Sequence, residues 1–302
     1  MTAWMFPGQG AQRAGMAKDL GKAADLFSSA EKILDADLYK LCASDDTKHW
    51  PIGLLQPAIF TTCVAVGKAL ADRGLAPDAV VGHSLGEFAA LVIGGSIEFE
   101  EALRLVDVRG KAMAEAGRRH PGGMAAIIGL DETTVSDICA EIGDVWVANV
   151  NAADQTVISG ADKGLTKAAS QCVQAGAGRV VRLEVPVAAH SPLMESAAAK
   201  IKKILDETQI SSPSCSFYSA VDAASHDDPA EIRQLLGDGL LSRVRFADTL
   251  SAMGEAGITT FIEAGPGRAL RGLVRRTLPN AHVDSVSGDE GADELAMAGA
   301  GR

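Results

Sequence analysis

A serine placed at a glycine-flanked turn between a strand and a helix can act as a nucleophile, and Gly82-His83-Ser84-Leu85-Gly86 has that form. The short apolar run Ala79-Val80-Val81 reads as a buried strand entering the turn, and Phe88-Ala89-Ala90-Leu91-Val92 as the helix leaving it. Small residues on both sides of Ser84 permit the tight dihedrals such a turn needs. The serine would then sit at a helix N-terminus, where unpaired N–H groups and the helix dipole favour a developing oxyanion.

A nucleophilic serine needs a base. The chain offers His49, His83, His120, His190, His226 and His282. His83 adjoins the serine, but neighbours on such a turn point apart, so it is expected to pack or bond beneath it. His49, His226 and His282 lie in polar, loop-like sequence, where a solvated side chain is the default, and His120 before Pro121 reads as a surface residue. His190 differs, since Ser191-Pro192 directly after it opens a helix. The residues alone leave it one candidate among six.

Two more residues could serve this chemistry. Gln9, between Gly8 and Gly10 after a strand, could donate to an oxyanion, although an ordinary strand-to-helix turn has the same composition. Arg109 borders a helical face marked by Leu105, Val108 and Ala112, where a guanidinium could enter a pocket and bind a carboxylate through two parallel hydrogen bonds. A surface arginine with a buried stem is the common alternative.

These residues must be positioned by a fold, and the expected class is α/β. Strands alternate with helices through Ala3–Phe6, two helical patterns (Ala23–Leu34 and Pro57–Arg73), the elbow, and a helix from Phe99 to Ala116. That order predicts a parallel sheet covered on both faces. Between residues 123 and 185 the order becomes β-α-β-β-α-β, a ferredoxin-like pattern. The expected domains are a discontinuous large one, 1–122 and 186–288, and the inserted small one, 123–185. Residues 289–302, rich in Gly, Ala, Asp and Glu, read as a disordered tail.

Composition narrows the function classes. Of the 302 residues 47% are hydrophobic and 22% charged, as in soluble globular proteins, and no apolar run is expected to span a bilayer. The start of the chain lacks the basic region of a signal peptide, which implies a cytoplasmic protein. A net charge of −11 argues against nucleic acid as a partner. Cys42, Cys63, Cys139, Cys172 and Cys215 are odd in number and never form C-x-x-C, which speaks against a disulfide framework or a zinc site.

Together these pieces resemble the malonyl-CoA:acyl carrier protein transacylase family, which includes free-standing and polyketide-synthase acyltransferases. The resemblance runs in order through Phe6-Pro7-Gly8-Gln9-Gly10-Ala11-Gln12, Gln56-Pro57-Ala58, Gly82-His83-Ser84-Leu85-Gly86-Glu87 and Val108-Arg109-Gly110. It continues through Ala148-Asn149-Val150-Asn151, Gln155–Gly160, Ala189-His190-Ser191, Val244-Arg245-Phe246 and Glu263-Ala264-Gly265-Pro266-Gly267. It implies an α/β-hydrolase-like domain with a ferredoxin-like lobe, and Ser84 as the acylated nucleophile with His190 as its base. It further implies an oxyanion hole from the N–H groups of Gln9 and Leu85, and Arg109 as the clamp for the malonyl carboxylate. Gln56, Asn151, Gln155, Ala189 and Arg245 match substrate-binding positions.

The implied reaction moves malonyl, or a related dicarboxylic acyl unit, from coenzyme A to an acyl carrier protein. The coenzyme A thioester is then a substrate, with no cofactor or metal. The implied partners are an acidic carrier protein and malonyl-CoA, with no membrane partner, and a monomeric enzyme. Candidate docking patches are Arg118-Arg119, Lys200 with Lys202 and Lys203, and Arg271 with Arg275 and Arg276. Three positions depart from familiar members: Ala11 replaces a common serine, Arg245 a glutamine of fatty-acid members, and Val187-Ala188-Ala189-His190 matches neither common extender-selecting pattern. A serine thioesterase on the same elbow is the alternative, and Arg109 separates the two, since a plain acyl chain has no use for a carboxylate clamp.

Overall fold

The computed structural model describes residues 1–46 and 50–300. In the first part of the chain β1 (Thr2–Phe6) leads to α1 (Ala24–Leu34), α2 (Leu38–Ala43) and α3 (Ile52–Ala71). The elbow segment follows as β2 (Ala79–Gly82) and α4 (Gly86–Ile93), then α5 (Phe99–Arg119). Next come β3 (Gly122–Ile128), α6 (Glu132–Ile142), β4 (Val145–Ala152), β5 (Gln155–Ala161), α7 (Asp162–Gln174) and β6 (Arg179–Arg182). The chain continues with α8 (Glu195–Leu205), β7 (Ser216–Ser219), β8 (Ala224–His226), α9 (Pro229–Asp238) and α10 (Phe246–Glu255). It closes with β9 (Thr260–Ala264), α11 (Ala269–Thr277), β10 (His282–Val286) and α12 (Asp289–Ala300).

The strands form two sheets. One has six strands in the order β10-β9-β1-β2-β7-β8, all parallel except β8. The other has four antiparallel strands in the order β4-β5-β3-β6. Successive residues of a strand face opposite sides, and β1 shows the consequence. Trp4 and Phe6 join one apolar cluster while Ala3 and Met5 join another, so both faces of the parallel sheet are buried. The small sheet divides in the same way. Ala125 and Ile127 pack beneath α6 and α7, while Met124 and Ala126 face the large sheet's core.

The few aromatic residues are concentrated inside. Trp4, Phe6, Phe60, Phe217, Phe246 and Phe261 are fully buried, so the core does not rest on aliphatic side chains alone. All five cysteines are free, and four are buried; burial pushes the Cys42 and Cys139 thiols up to about 12, which makes them packing groups rather than nucleophiles. One sequence expectation needs qualifying. Gly53–Ala71 of α3 is long and apolar enough to cross a bilayer, but most of it is enclosed by the fold as a core helix.

Residues 289–300 of the expected disordered tail instead form a helix, α12. Asp19 supplies what the tail's own sequence lacks. Its backbone carbonyl accepts from the Asp289 N–H at 2.7 Å, and its carboxylate accepts from the Glu290 N–H at 3.0 Å. These bonds satisfy donors at the helix start that would otherwise be orphaned. Arg73 at the end of α3 then donates to Asp293 at 2.6 Å and Asp289 at 3.2 Å, and Ala292 and Leu295 pack on the core. The partners lie more than two hundred residues away, so local periodicity gave no sign of them. Arg73→Ala is expected to cost about 2 kcal/mol, the scale of hydrogen bonds to a charged group, and to make α12 the first segment cut in limited proteolysis. An unchanged urea midpoint with α12 uncut would show that apolar packing alone holds it.

Candidate active site

Ser84 owes its exposure to a steric constraint. The β2 strand ends at Gly82 between β1 and β7, and the His83 N–H donates to the Phe6 carbonyl at 2.9 Å. A Cβ on Gly82 would lie 1.9 Å from the Glu87 nitrogen, and one on Gly86 would lie 1.9 Å from the Phe6 oxygen. Only glycine fits either position. The turn forces Ser84 to a φ of 54°, a left-handed conformation that costs a non-glycine residue roughly 1–2 kcal/mol. The fold holds the hydroxyl out at the start of α4 in exchange.

His190 meets that hydroxyl. Its Nε2 lies 2.9 Å from Ser84 Oγ, and its Nδ1 lies 2.8 Å from the Gly239 carbonyl and 2.9 Å from that of Ser242. Carbonyls only accept, so the proton sits on Nδ1 and the bare Nε2 accepts from the serine hydroxyl. That is the tautomer a general base requires. Burial, then the nearby Arg109 cation, pull the imidazole down to about 4, partly offset by the two carbonyls.

Arg109 projects from α5 into the same space and is 5% exposed. Its Nη2 donates to Ser84 Oγ at 2.8 Å and its Nη1 to Gln56 Oε1 at 2.8 Å. Burial pulls the guanidinium down to about 10, opposed by the charge of Glu87. Glu87 is itself buried, which raises its carboxyl to about 7 against the Ala220 N–H, the Ser219 hydroxyl and Arg109.

A cleft of about 390 Å³ opens over these groups, lined by both sheets' segments. Gln9, Asn151, Gln155 and Ala189 all border it, as do Met113 and Met124. Among the described residues neither the Gln9 nor the Leu85 backbone N–H is spent on a hydrogen bond within the protein. His83 lies beneath the turn, its ring 5.1 Å from that of Phe246 and its Nε2 2.9 Å from Asn151 Oδ1. Gln155 stands at the rim, where Arg276 donates to it at 3.2 Å.

Two matched positions lie outside the cleft. Gln56 sits behind Arg109, and its amide donates to the Gln9 side chain at 3.2 Å; it orients the guanidinium rather than a ligand. Arg245 points elsewhere, held by Asp248 at 2.9 Å and by the Asp222 carbonyl at 3.3 Å. Among the other histidines, His226 and His282 are not free loop residues. They belong to β8 and β10 and pair with carboxylates, while His120 is exposed and His49 lies outside the described residues. Sequence reading missed the Gly239 and Ser242 carbonyls, since a backbone acceptor has no residue signature. Among the described residues no cluster of His, Cys, Asp or Glu is arranged to hold a metal ion.

The profile of the acyl transferase domain family matches residues 3–296. The chain belongs to that family. A malonyl CoA-acyl carrier protein transacylase of Bacillus subtilis (strain 168) is 38% identical over 297 residues, covering 95% of this chain and 94% of that protein. The solved malonyl CoA-acyl carrier protein transacylase of Coxiella burnetii superposes with a TM-score of 0.94 at 34% identity, over 98% of this chain and 96% of that one. A malonyl-transacylase solved in complex with its type II polyketide-synthase acyl-carrier protein gives the same TM-score at 33% identity, over 98% and 99%. The mixed α/β fold with its separate antiparallel sheet is therefore that of these acyltransferases.

An imidazole can accept a proton from a serine hydroxyl only while it is neutral. Because His190 is pulled down to about 4, Ser84 should stay reactive well below the pH at which an ordinary histidine protonates, and lose reactivity only as pH falls through about 4. Titrating the His190 imidazole by NMR beside the rate of Ser84 labelling checks this; a midpoint near 6.5 would contradict it.

Proposed function

We propose that this chain is a malonyl-CoA:acyl carrier protein transacylase working through a Ser84 acyl-enzyme. The observation that carries the reading is a buried guanidinium within hydrogen-bonding distance of the nucleophile. An acyl group ending in a carboxylate can reach Arg109 while its thioester carbonyl lies at Ser84, and a buried cation is the group that makes such an anion welcome.

The steps follow from the geometry. Ser84 Oγ attacks the thioester carbon as its proton passes to His190 Nε2, and the carbonyl oxygen takes the charge beside the Gln9 and Leu85 N–H groups. The C–S bond breaks and the thiolate of coenzyme A takes the proton from His190. The carrier's phosphopantetheine thiol then enters, gives its proton to His190 and attacks the ester, and Ser84 leaves with that proton. No cofactor is needed. Asn149 Oδ1, buried beside the cleft and without a partner among the described residues, is placed to accept from an amide N–H of the pantetheine arm.

The finer fold reading supports this reaction. The strand order of the small sheet and its β-α-β-β-α-β sequence support the reading of residues 123–185 as a ferredoxin-like lobe inserted in an α/β-hydrolase-like domain (1–122 and 186–288). A cleft between two such units admits a long arm while shielding the ester from water. Of the three basic clusters, the one on α11 borders the cleft through Ala269, Leu270 and Leu273. Arg119 and Lys200 pair with Glu115, and Lys202 with Asp238. Arg118, Lys203 and Arg275 are all exposed and in no ion pair among the described residues, so it is the border with the cleft that favours α11 as the docking face for an acidic carrier.

Intact mass after mixing with malonyl-CoA or acetyl-CoA tests the core of the proposal. Wild type should gain one malonyl group and Ser84→Ala none. Arg109→Ala should lower kcat/KM for malonyl-CoA by about a hundredfold, the scale of a lost buried charge pair, while acetyl transfer is kept or gained; unchanged selectivity would place the carboxylate elsewhere. Arg275→Glu should raise KM for the carrier protein several-fold with the rate of Ser84 acylation unchanged. A normal carrier KM would move the docking face off α11.

A further inference from the structure

We propose that Arg109 is a charge gate: until an acyl carboxylate takes its guanidinium, the cation occupies Ser84 Oγ and opposes proton transfer to His190. The inference rests on the malonyl reading of the site and adds a step to it. Arg109 Nη2 contacts the attacking atom at 2.8 Å, and the same oxygen lies 2.9 Å from His190 Nε2. Both partners are buried. Any proton leaving Oγ therefore creates an imidazolium next to an existing guanidinium, in a space with little water to screen the two.

The oxyanion gives little relief. As the Oγ–C bond forms, the carbonyl π pair moves to the carbonyl oxygen, which is held by the Gln9 and Leu85 N–H groups, while Oγ becomes a neutral ether-like oxygen. The groups that face the pair are few. Glu87 opposes the Arg109 charge but directs its hydrogen bonds to Ala220 and Ser219, and His83 adds to the pull on His190 against the Gly239 and Ser242 carbonyls.

An acyl carboxylate changes this balance. A charge-assisted bond to a carboxylate is stronger than one to a hydroxyl, so the substrate displaces Oγ from Nη2 while Gln56 keeps Nη1 and the guanidinium pivots in place. The guanidinium–carboxylate pair is close to neutral, and the base recovers its strength once a dicarboxylic acyl group is seated. A neutral acyl group leaves the cation where it was. Selection then lies in the chemical step as well as in binding.

Two measurements test the gate. In wild type, the acid limb of kcat/KM reports the free enzyme and that of kcat the loaded one. With malonyl-CoA the kcat limb should lie about one pH unit higher, because neutralising Arg109 removes a charge that lowers the base; with acetyl-CoA the limbs should coincide. Coincident limbs with malonyl-CoA would overturn the gate. Separately, labelling of Ser84 by the neutral probe phenylmethanesulfonyl fluoride should be on the order of tenfold faster in Arg109→Gln, as an opposing charge leaves the proton-transfer site. Arg109→Lys, which keeps the charge, should label no faster than wild type. Equal or slower labelling in Arg109→Gln, or equally fast labelling in Arg109→Lys, would also overturn it. If wild type forms a malonyl-enzyme yet fails these tests, the gate falls and the transacylase reading stands; if no malonyl-enzyme forms, the underlying reading falls.

Discussion

The approach of Gly86 to the Phe6 carbonyl fixes more of this structure than any other contact. It brings the start of α4 against the end of β1, so the β2 strand must turn at once after Gly82. The turn leaves Ser84 in a left-handed conformation with its hydroxyl lifted from the sheet, and leaves Leu85 with an N–H that no backbone carbonyl among the described residues accepts. Gln9, just beyond β1, borders the same cleft as Ser84. One steric constraint thus places the Ser84 hydroxyl and the backbone of Gln9 and Leu85 at one end of the cleft. A side chain at either glycine would have to push backbone against backbone, which close-packed interiors resist.

The second sheet completes the site from the opposite side. β4 carries register shifts between Val147 and Asn149 and between Val150 and Ala152, in the stretch that meets the elbow. Irregularities of this kind re-aim side chains, and here Asn149 and Asn151 reach the His83 ring. The same strand pairs with Val244, whose segment follows the Gly239 and Ser242 carbonyls that hold His190. The small sheet is therefore bonded to the elbow and to the segment that holds the His190 ring, and it closes the cleft from that side.

Much of this was legible in the residues, for definable reasons. The elbow showed itself because strand, glycine, serine and helix are all local, and the β-α-β-β-α-β order could be read from short periodic runs. Arg109 could be placed at the margin of an apolar helical face, because helical spacing is a local property too. What escaped was carried by distant or backbone partners. The α12 helix depends on Asp19 and Arg73, neither near it in sequence. Gln56 matched a substrate position, yet burial behind Arg109 makes it the residue that aims the guanidinium. Arg245 matched another, but the nearby Asp248 claims its charge, a short-range pairing that outcompetes a cleft it does not face.

The choice of carbonyls, rather than a carboxylate, to hold His190 fits the charge already present. In the familiar serine triads an aspartate orients the imidazole and stabilises its cation. A carboxylate at His190 Nδ1 would add a further acidic group to a pocket whose arginine already faces Glu87. It would compete with an incoming acyl carboxylate for the field of Arg109, and the substrate would meet a clamp already neutralised. Carbonyl dipoles fix the same tautomer without adding charge. Glu87 is kept from the same competition by its bonds to the Ala220 N–H and the Ser219 hydroxyl, and among the described residues it forms no direct ion pair with the guanidinium. On the proposed mechanism, a base without its own anion is weaker, and the anion it works with is the one that arrives on the acyl group.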